Sequence, residues 1–421
     1  MGAWNYFVDL VGNVRADWLQ FLYGHGLASS LVVFLDALLG VTLILMLLPG
    51  IVIIMIWLER RFIGWLQVRP GPNRCGPMGL LQPLADVVKL LFKEVITPAK
   101  GDKIAYIVAP AIVVFAAIMV FAVIPVGRGP LDALTEFNTA TLGSLVDLNI
   151  GILYIIAIGS LGTIGIFMAG WGSENKWSLL GAMRSIAQMI SYEVPMVLSL
   201  VGVVLIVGSL EIGKIVEAQT IPFILLQPLG FLIYFLGAMA ELNRSPMDQT
   251  EADSELTSGY FTEYSGMRFG TFFLGEYIGA LAVTAIVATV FLAGWKGPGL
   301  PVWIWFLIKV FAVFTVILWM RGTLLRIRID QIMALSWKFL VPVALINIFI
   351  TAGEVLIWDT WMSGWESFPW PFLFLNWAIA IVVVLFWAKV FFKLGGGRVE
   401  VGEVRDRHCQ GYGVNPSAPV P

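Results

Sequence analysis

Acidic side chains inside apolar segments are the residues of this sequence best suited to chemistry. Glu193 lies in the run Ser191-Tyr192-Glu193-Val194-Pro195, and Glu276 lies in Gly275-Glu276-Tyr277. A carboxylate in the hydrocarbon region of a membrane costs about 2.5–3.5 kcal/mol, so such residues usually face a bundle interior and mark proton or ion routes. Pro195 also loosens the backbone beside Glu193, because proline donates no hydrogen bond. The pattern predicts proton transfer at carboxylates within a membrane.

A second group of acids lies in the polar segment 241–269 and comprises Glu241, Glu251, Asp253 and Glu255. Asp248 and Glu251 have the spacing of a capping box, which predicts a short helix. Glu251 and Glu255 would share a face of that helix, where like charges favour proton uptake near neutral pH. We expect these acids, with Glu193 and Glu276, to form a carboxylate chain leading from the cytoplasmic edge into the membrane. Taken alone, the segment is equally compatible with a solvated acidic face.

The first polar loop begins with Glu59-Arg60-Arg61 and continues through Arg69-Pro70-Gly71-Pro72-Asn73-Arg74. Its prolines predict a rigid, shaped loop. An amphipathic helix follows, with Asp86 on its polar face. Its apolar face comprises Leu80, Leu81, Leu84, Val87, Val88, Leu91 and Val95. Two interpretations stay open: an interfacial anchor, or the mouth of a site that an amphiphilic ligand reaches from the membrane.

Membrane-spanning helices must position these side chains. The 421 residues are 59% hydrophobic and 13% charged, whereas soluble proteins carry charge on about 25% of residues. This excludes an ordinary soluble enzyme and predicts an all-α, polytopic membrane protein of about nine spans. Asp36, Lys309 and Glu354 fall within spans as lesser candidates for proton transfer. The predicted spans lie near 31–57, 105–125, 150–170, 184–208, 222–240, 270–294, 302–320, 337–358 and 371–392.

Charge distribution predicts the orientation of the chain. Most of the 26 lysines and arginines fall on one side of these spans, which places that side in the cytoplasm, the N-terminus in the periplasm and the C-terminus in the cytoplasm. We expect a helical domain over 1–393, with cytoplasmic loops at 58–104 and 241–269, and a cytoplasmic tail over 394–421. Two cysteines and two histidines are too few for a structural zinc or haem site, so we expect no metal site.

From about Glu59 to about Ala352 the sequence resembles the membrane H-subunit, also called subunit 1, of respiratory complex I, the NADH:quinone oxidoreductase. The motifs that carry the resemblance are Glu59-Arg60-Arg61, 69–74, 81–86, Gly170-Trp171, Lys176 with 179–184, Ser191-Tyr192-Glu193-Val194, 240–244 and 251–267. In that family the subunit joins the peripheral redox arm to the membrane arm and forms much of the quinone tunnel. The length of the chain fits a bacterial inner membrane protein better than an organelle-encoded version.

The resemblance also implies roles for individual residues. Those at the quinone tunnel would be Glu59, Arg60, Arg61, Arg69 and Asp86. Those coupling quinone reduction to proton translocation would be Glu193, Glu241, Glu251, Asp253, Glu255 and Glu276. The substrate would be ubiquinone or menaquinone, and flavin and iron–sulfur clusters would reside only in partner subunits. Those partners would be peripheral quinone-module subunits and antiporter-like membrane subunits, with no nucleic acid.

Two alternatives remain from the sequence. The first is the membrane anchor of an energy-converting hydrogenase, or of a relative driven by ferredoxin or a reduced deazaflavin coenzyme. The matches in the first loop and the acidic loop favour a quinone enzyme. The second is a secondary ion transporter, which inverted repeats and paired broken helices would support.

Overall fold

The computed structural model describes residues 29–126, 146, 148–249, 258–300, 302–361 and 370–395. Within these ranges all regular elements are helical, which confirms the predicted all-α class. The helices are α1 (Ser29–Leu66), α2 (Gln82–Phe92), α3 (Lys103–Val120), α4 (Gly151–Gly172), α5 (Lys176–Val207), α6 (Ile212–Ala218), α7 (Phe223–Leu226), α8 (Pro228–Glu241), α9 (Gly266–Phe291), α10 (Val302–Thr323), α11 (Ile329–Leu335), α12 (Val341–Trp361) and α13 (Trp370–Gly395). A π-helical turn, Ser336–Leu340, joins α11 to α12.

Seven stretches of the described chain are long and apolar enough to cross a membrane, which confirms a polytopic protein. They are Gly40–Leu66, Lys103–Val120, Gly151–Gly172, Lys176–Val207, Gly266–Phe291, Val302–Thr323 and Ile329–Trp358. Shorter apolar helices, Pro228–Glu241 and Phe372–Phe386, match the remaining two predicted spans, so the count of nine stays a prediction.

The span predicted at 222–240 is divided at Gln227. This residue leaves the helical region, with φ −128° and ψ 65°, directly before Pro228, as expected for a residue that precedes proline. Its side chain is 2% exposed, and its amide donates to the Thr351 hydroxyl on α12 at 3.1 Å. The break therefore fixes α8 as a separate short helix that ends at Glu241.

Helix α9 lies at the centre of the bundle formed by residues before 369. It packs against α1, α3 and α10, and side chains all around its C-terminal half, including Ile278, Ala282 and Phe291, are buried. A helix that is apolar on every side is typical of a protein core or a membrane span, and here neighbouring helices cover most of α9. Glu276 consequently lies on the most enclosed helix described. Helix α5 packs against α4, α8 and α12, and it carries Glu193.

The first loop folds back onto the end of α1. The Trp57 indole donates to the Met78 carbonyl at 3.0 Å, and a Cβ added at Gly71 would lie 3.0 Å from Arg61 Cα. The predicted amphipathic helix begins at Gln82 rather than Leu80. Leu80 belongs instead to a turn, because its N–H bonds to the Pro77 carbonyl.

Candidate functional site

A buried network of ion pairs joins four elements of the bundle. Arg244, which follows α8, donates from Nη1 to Glu59 Oε1 on α1 at 3.0 Å. Its Nε donates to Glu276 Oε1 on α9, also at 3.0 Å. Arg321 on α10 bonds the same Glu59 oxygen. We call these four residues the arginine–glutamate network. The network links residues that the sequence assigned to two different roles, because Glu59 was predicted at the quinone tunnel and Glu276 in proton coupling.

A tight turn after α8 directs Arg244 into the bundle. Asn243 adopts φ 49°, a left-handed conformation that asparagine tolerates better than most residues. The guanidinium then lies 4.6 Å from the centre of the Tyr277 ring. Burial opposes its charge, but Glu276 and Glu59 more than compensate and raise the pKa of Arg244 above its ordinary value. Arg244 is therefore a permanent buried cation.

Burial makes the pairing within this network obligatory. Glu59 is 4% exposed and Arg244 5% exposed. Removing one partner of a buried pair leaves an uncompensated charge, which costs about 3–5 kcal/mol. The two carboxylates and two guanidiniums balance in formal charge, and their ion pairs tie α1, α9 and α10 together.

Glu241 and Glu193 form a second acidic group, without arginines. Glu241 is the last residue of α8, and a Cβ added at Gly159 on α4 would lie 3.6 Å from its Oε1. Glu193, on α5, acts on Glu241 as a like charge. Within the described ranges, neither side chain has an ion pair or a hydrogen bond. The fold thus places two predicted coupling residues on neighbouring helices, α5 and α8.

The start of the acidic loop is anchored on α5 by buried amides. Gln188 is fully buried, and its Nε2 donates to the carbonyls of Ala240 at 2.8 Å and Met247 at 2.7 Å. Gln249 accepts from Arg184 at 2.9 Å. These bonds fix the chain up to the point where the predicted capping-box helix would follow. Glu251, Asp253 and Glu255 lie outside the described residues.

The remaining predicted tunnel residues lie on the surface of the described chain. Arg60 Nη1 pairs with Asp86 Oδ2 at 2.5 Å, and these side chains are 45% and 31% exposed. Arg61 donates to the Met78 carbonyl at 3.2 Å and lies over the Trp57 ring. Arg69 bonds the nearby Gln67. The structure therefore pairs Arg60 with Asp86 on α2 and places Glu59 apart from them.

Arg244, Arg321 and Tyr277 are site residues that the sequence reasoning did not single out. Arg244 is one of only two basic residues in the segment 241–269, which holds six acids, and Arg321 ends an apolar span. A basic residue isolated among acids is the pattern that could have indicated a buried counter-ion. Among the described residues, no cluster of histidine, cysteine, aspartate and glutamate could hold a metal ion.

Fold and site together define the class: a polytopic membrane protein with paired and unpaired carboxylates between its helices. Residues 39–352 match the family described as NADH dehydrogenase. The chain is similar to the NADH-quinone oxidoreductase H-subunit of Dehalococcoides mccartyi (strain CBDB1), at 52% identity over 350 residues, covering 83% of this chain and 94% of the relative. The corresponding H-subunit of Carboxydothermus hydrogenoformans is 45% identical over 352 residues, covering 82% and 96% of the two chains.

Syntrophobacter fumaroxidans has a further relative, the second of its NADH-quinone oxidoreductase H-subunits, which is 46% identical over 331 residues and covers 78% of this chain and 98% of the relative. The chain belongs to the H-subunit family of the NADH-quinone oxidoreductases. The resemblance drawn from the sequence motifs is thereby confirmed.

Proposed function

We propose that this protein is the membrane H-subunit of a proton-translocating NADH:quinone oxidoreductase in a bacterial inner membrane. Membership of the family supports this, as do the seven long apolar helices of the described chain. The subunit takes part in catalysis without a redox cofactor of its own, and electrons reach quinone from flavin and iron–sulfur clusters in peripheral partner subunits. The N-terminus faces the periplasm and the C-terminus the cytoplasm, with antiporter-like membrane subunits as further partners.

The observation that carries the proton-coupling role is the pair Glu193 and Glu241. These two acids lie on α5 and α8, which pack against each other, and among the described residues neither has an ion pair or a hydrogen bond. Two neighbouring carboxylates in a poorly solvated setting retain a proton more readily than isolated ones. That proton can leave when a nearby negative charge disappears or a cation approaches. Glu276, held by Arg244, together with the loop acids Glu251, Asp253 and Glu255, would extend the route.

Quinone entry is assigned to the surface beside α2. An amphiphilic quinone needs an apolar path for its tail and polar groups for its headgroup. Leu84 and Leu91 on α2 are 47% and 58% exposed, which supports contact with lipid or a quinone tail. Asp86 lies on the same helix and pairs with Arg60 on α1, so this ion pair supplies polar groups beside the two leucines. Glu59, Arg61 and Arg69 support this entrance from the end of α1 and the first loop. The quinone is ubiquinone or menaquinone.

Affinity purification of the tagged subunit from mild-detergent membranes tests the assignment. Mass spectrometry of the partners and an assay of inhibitor-sensitive NADH:quinone activity should recover a flavin and iron–sulfur arm with that activity. Recovery with nickel–iron hydrogenase subunits would favour the anchor of an energy-converting hydrogenase. Recovery of the subunit alone, with ion transport after reconstitution, would favour a secondary transporter.

Glu193→Gln tests the proton-coupling role within the complex. We expect normal assembly and normal NADH oxidation with an artificial acceptor, but coupled quinone reduction lowered about tenfold or more, because the glutamine cannot exchange a proton. The matched control is Glu217→Gln, at an exposed residue of α6. Full coupled activity in the assembled Glu193→Gln complex would refute the role of Glu193 without affecting the subunit assignment.

A further inference from the structure

Helix α5 has a defect in its hydrogen bonding two residues from Glu193. Pro195 lies inside the helix and has no N–H, so the Ser191 carbonyl cannot receive the usual bond from the residue four positions later. A buried carbonyl left without a donor costs about 1–3 kcal/mol. Ser191 is 4% exposed, so its carbonyl depends on a donor from elsewhere in the protein.

Ser336 supplies that donor. Its hydroxyl donates to the Ser191 carbonyl at 2.5 Å, and its side chain is fully buried. Ser336 is the first residue of the π-helical turn between α11 and α12. π-Helical turns are rare in proteins, and those that occur often lie at functional sites. The defect in α5 and the irregular turn therefore meet at a single hydrogen bond.

Two further contacts join the same segments. The Trp337 indole donates to the Ser191 hydroxyl at 3.2 Å, and the Tyr192 hydroxyl donates to the Ile332 carbonyl at 2.9 Å. Both residues of α5 that are held in this way directly precede Glu193. Segment 332–337 is thus hydrogen-bonded to α5 at the two residues before Glu193. This is the helical turn in which Pro195 provides no N–H for the Ser191 carbonyl.

We propose that Ser336 is a positioning residue for Glu193. By satisfying the carbonyl that Pro195 leaves open, its hydroxyl fixes the course of α5 at 191–192 and hence the place of the Glu193 carboxylate relative to Glu241. The proposal rests on the proton-coupling role of Glu193. Proton transfer requires hydrogen-bonding reach between the groups or one intervening water, so a small displacement of this turn slows transfer without removing the acid.

A double-mutant cycle between Ser336→Ala and Pro195→Ala, made in the intact complex, tests this linkage. Alanine at 195 restores an N–H that can reach the Ser191 carbonyl. We expect Ser336→Ala alone to lower the kcat of coupled quinone reduction about fivefold, as loss of about 1 kcal/mol implies, with the quinone KM unchanged. In the Pro195→Ala background, Ser336→Ala should lower kcat less than about twofold.

Ser199→Ala is the matched control, because Ser199 is another fully buried serine on α5 and its hydroxyl bonds within its own helix. An unchanged kcat in assembled Ser336→Ala, or an equal loss in both backgrounds, would overturn the proposal. A rise in quinone KM with constant kcat would do the same. Glu193→Gln measured alongside separates the two questions: full activity there refutes the coupling role, whereas impairment there with normal Ser336→Ala refutes only the positioning role.

Discussion

Glu59 and Arg60 are adjacent in the sequence, yet they occupy opposite environments. Glu59 is 4% exposed and lies between Arg244 and Arg321. The side chain of Arg60 is 45% exposed and pairs with Asp86. Successive residues of a helix point about 100° apart, so one charged motif at the end of α1 supplies both the bundle interior and the surface.

Breaking an ion pair costs more stability in the buried setting than in the exposed one. A buried pair that loses one member leaves a charge in a medium that solvates it poorly. An exposed pair loses little, because water and salt replace the partner. The arginine–glutamate network is therefore a structural requirement of the bundle. Breaking the Arg60–Asp86 pair should cost the fold little, which is compatible with the proposed quinone entrance.

The largest effect is expected for Arg244→Met. This substitution removes the guanidinium that pairs with both Glu59 and Glu276. Both acids then lose a buried counter-ion. We expect a loss of about 3–5 kcal/mol in stability, measured as a large fall in the midpoint of thermal inactivation of the purified complex and in the amount assembled. Arg74→Met is the control, because Arg74 is exposed. A complex of unchanged thermal stability would contradict the contrast between the two regions.

The sequence predicted the helical class and the apolar spans, because both follow from local composition and periodicity. It also drew attention to Glu193 and Glu276, since a carboxylate in an apolar run is conspicuous, and to Glu241 at the start of an acidic segment; their roles stay predictions. It did not predict that Arg244 would bring Glu59 and Glu276 together, because 185 residues separate Arg244 from Glu59. The break at Gln227 likewise depends on a partner, Thr351, that lies 124 residues away. Pairings of that kind are decided by tertiary packing.

An intermediate effect is expected when single acids of the network are neutralised. Glu59 bonds two arginines, whereas Glu276 bonds Arg244 and has a side chain that is 20% exposed. Glu59→Gln should therefore destabilise the complex more than Glu276→Gln, by about 2 kcal/mol against about 1 kcal/mol. The comparison uses thermal inactivation of the two purified complexes. The reverse order would show that Glu276, rather than Glu59, holds the network together.

The smallest effect on stability is expected at the exposed pair. A double-mutant cycle with Arg60→Gln and Asp86→Asn should give a coupling energy below about 1 kcal/mol, measured by thermal inactivation of the complex, and it should shrink further as salt is raised. If this pair serves quinone entry, each single variant should instead raise the quinone KM while thermal stability stays constant. A coupling energy of about 3 kcal/mol or more, insensitive to salt, would mean that in the assembled complex this pair is buried like the arginine–glutamate network. The distinction between Glu59 and Arg60 would then belong to the isolated chain alone, since a partner subunit covering α2 would give the exposed pair the same desolvated setting as the buried one.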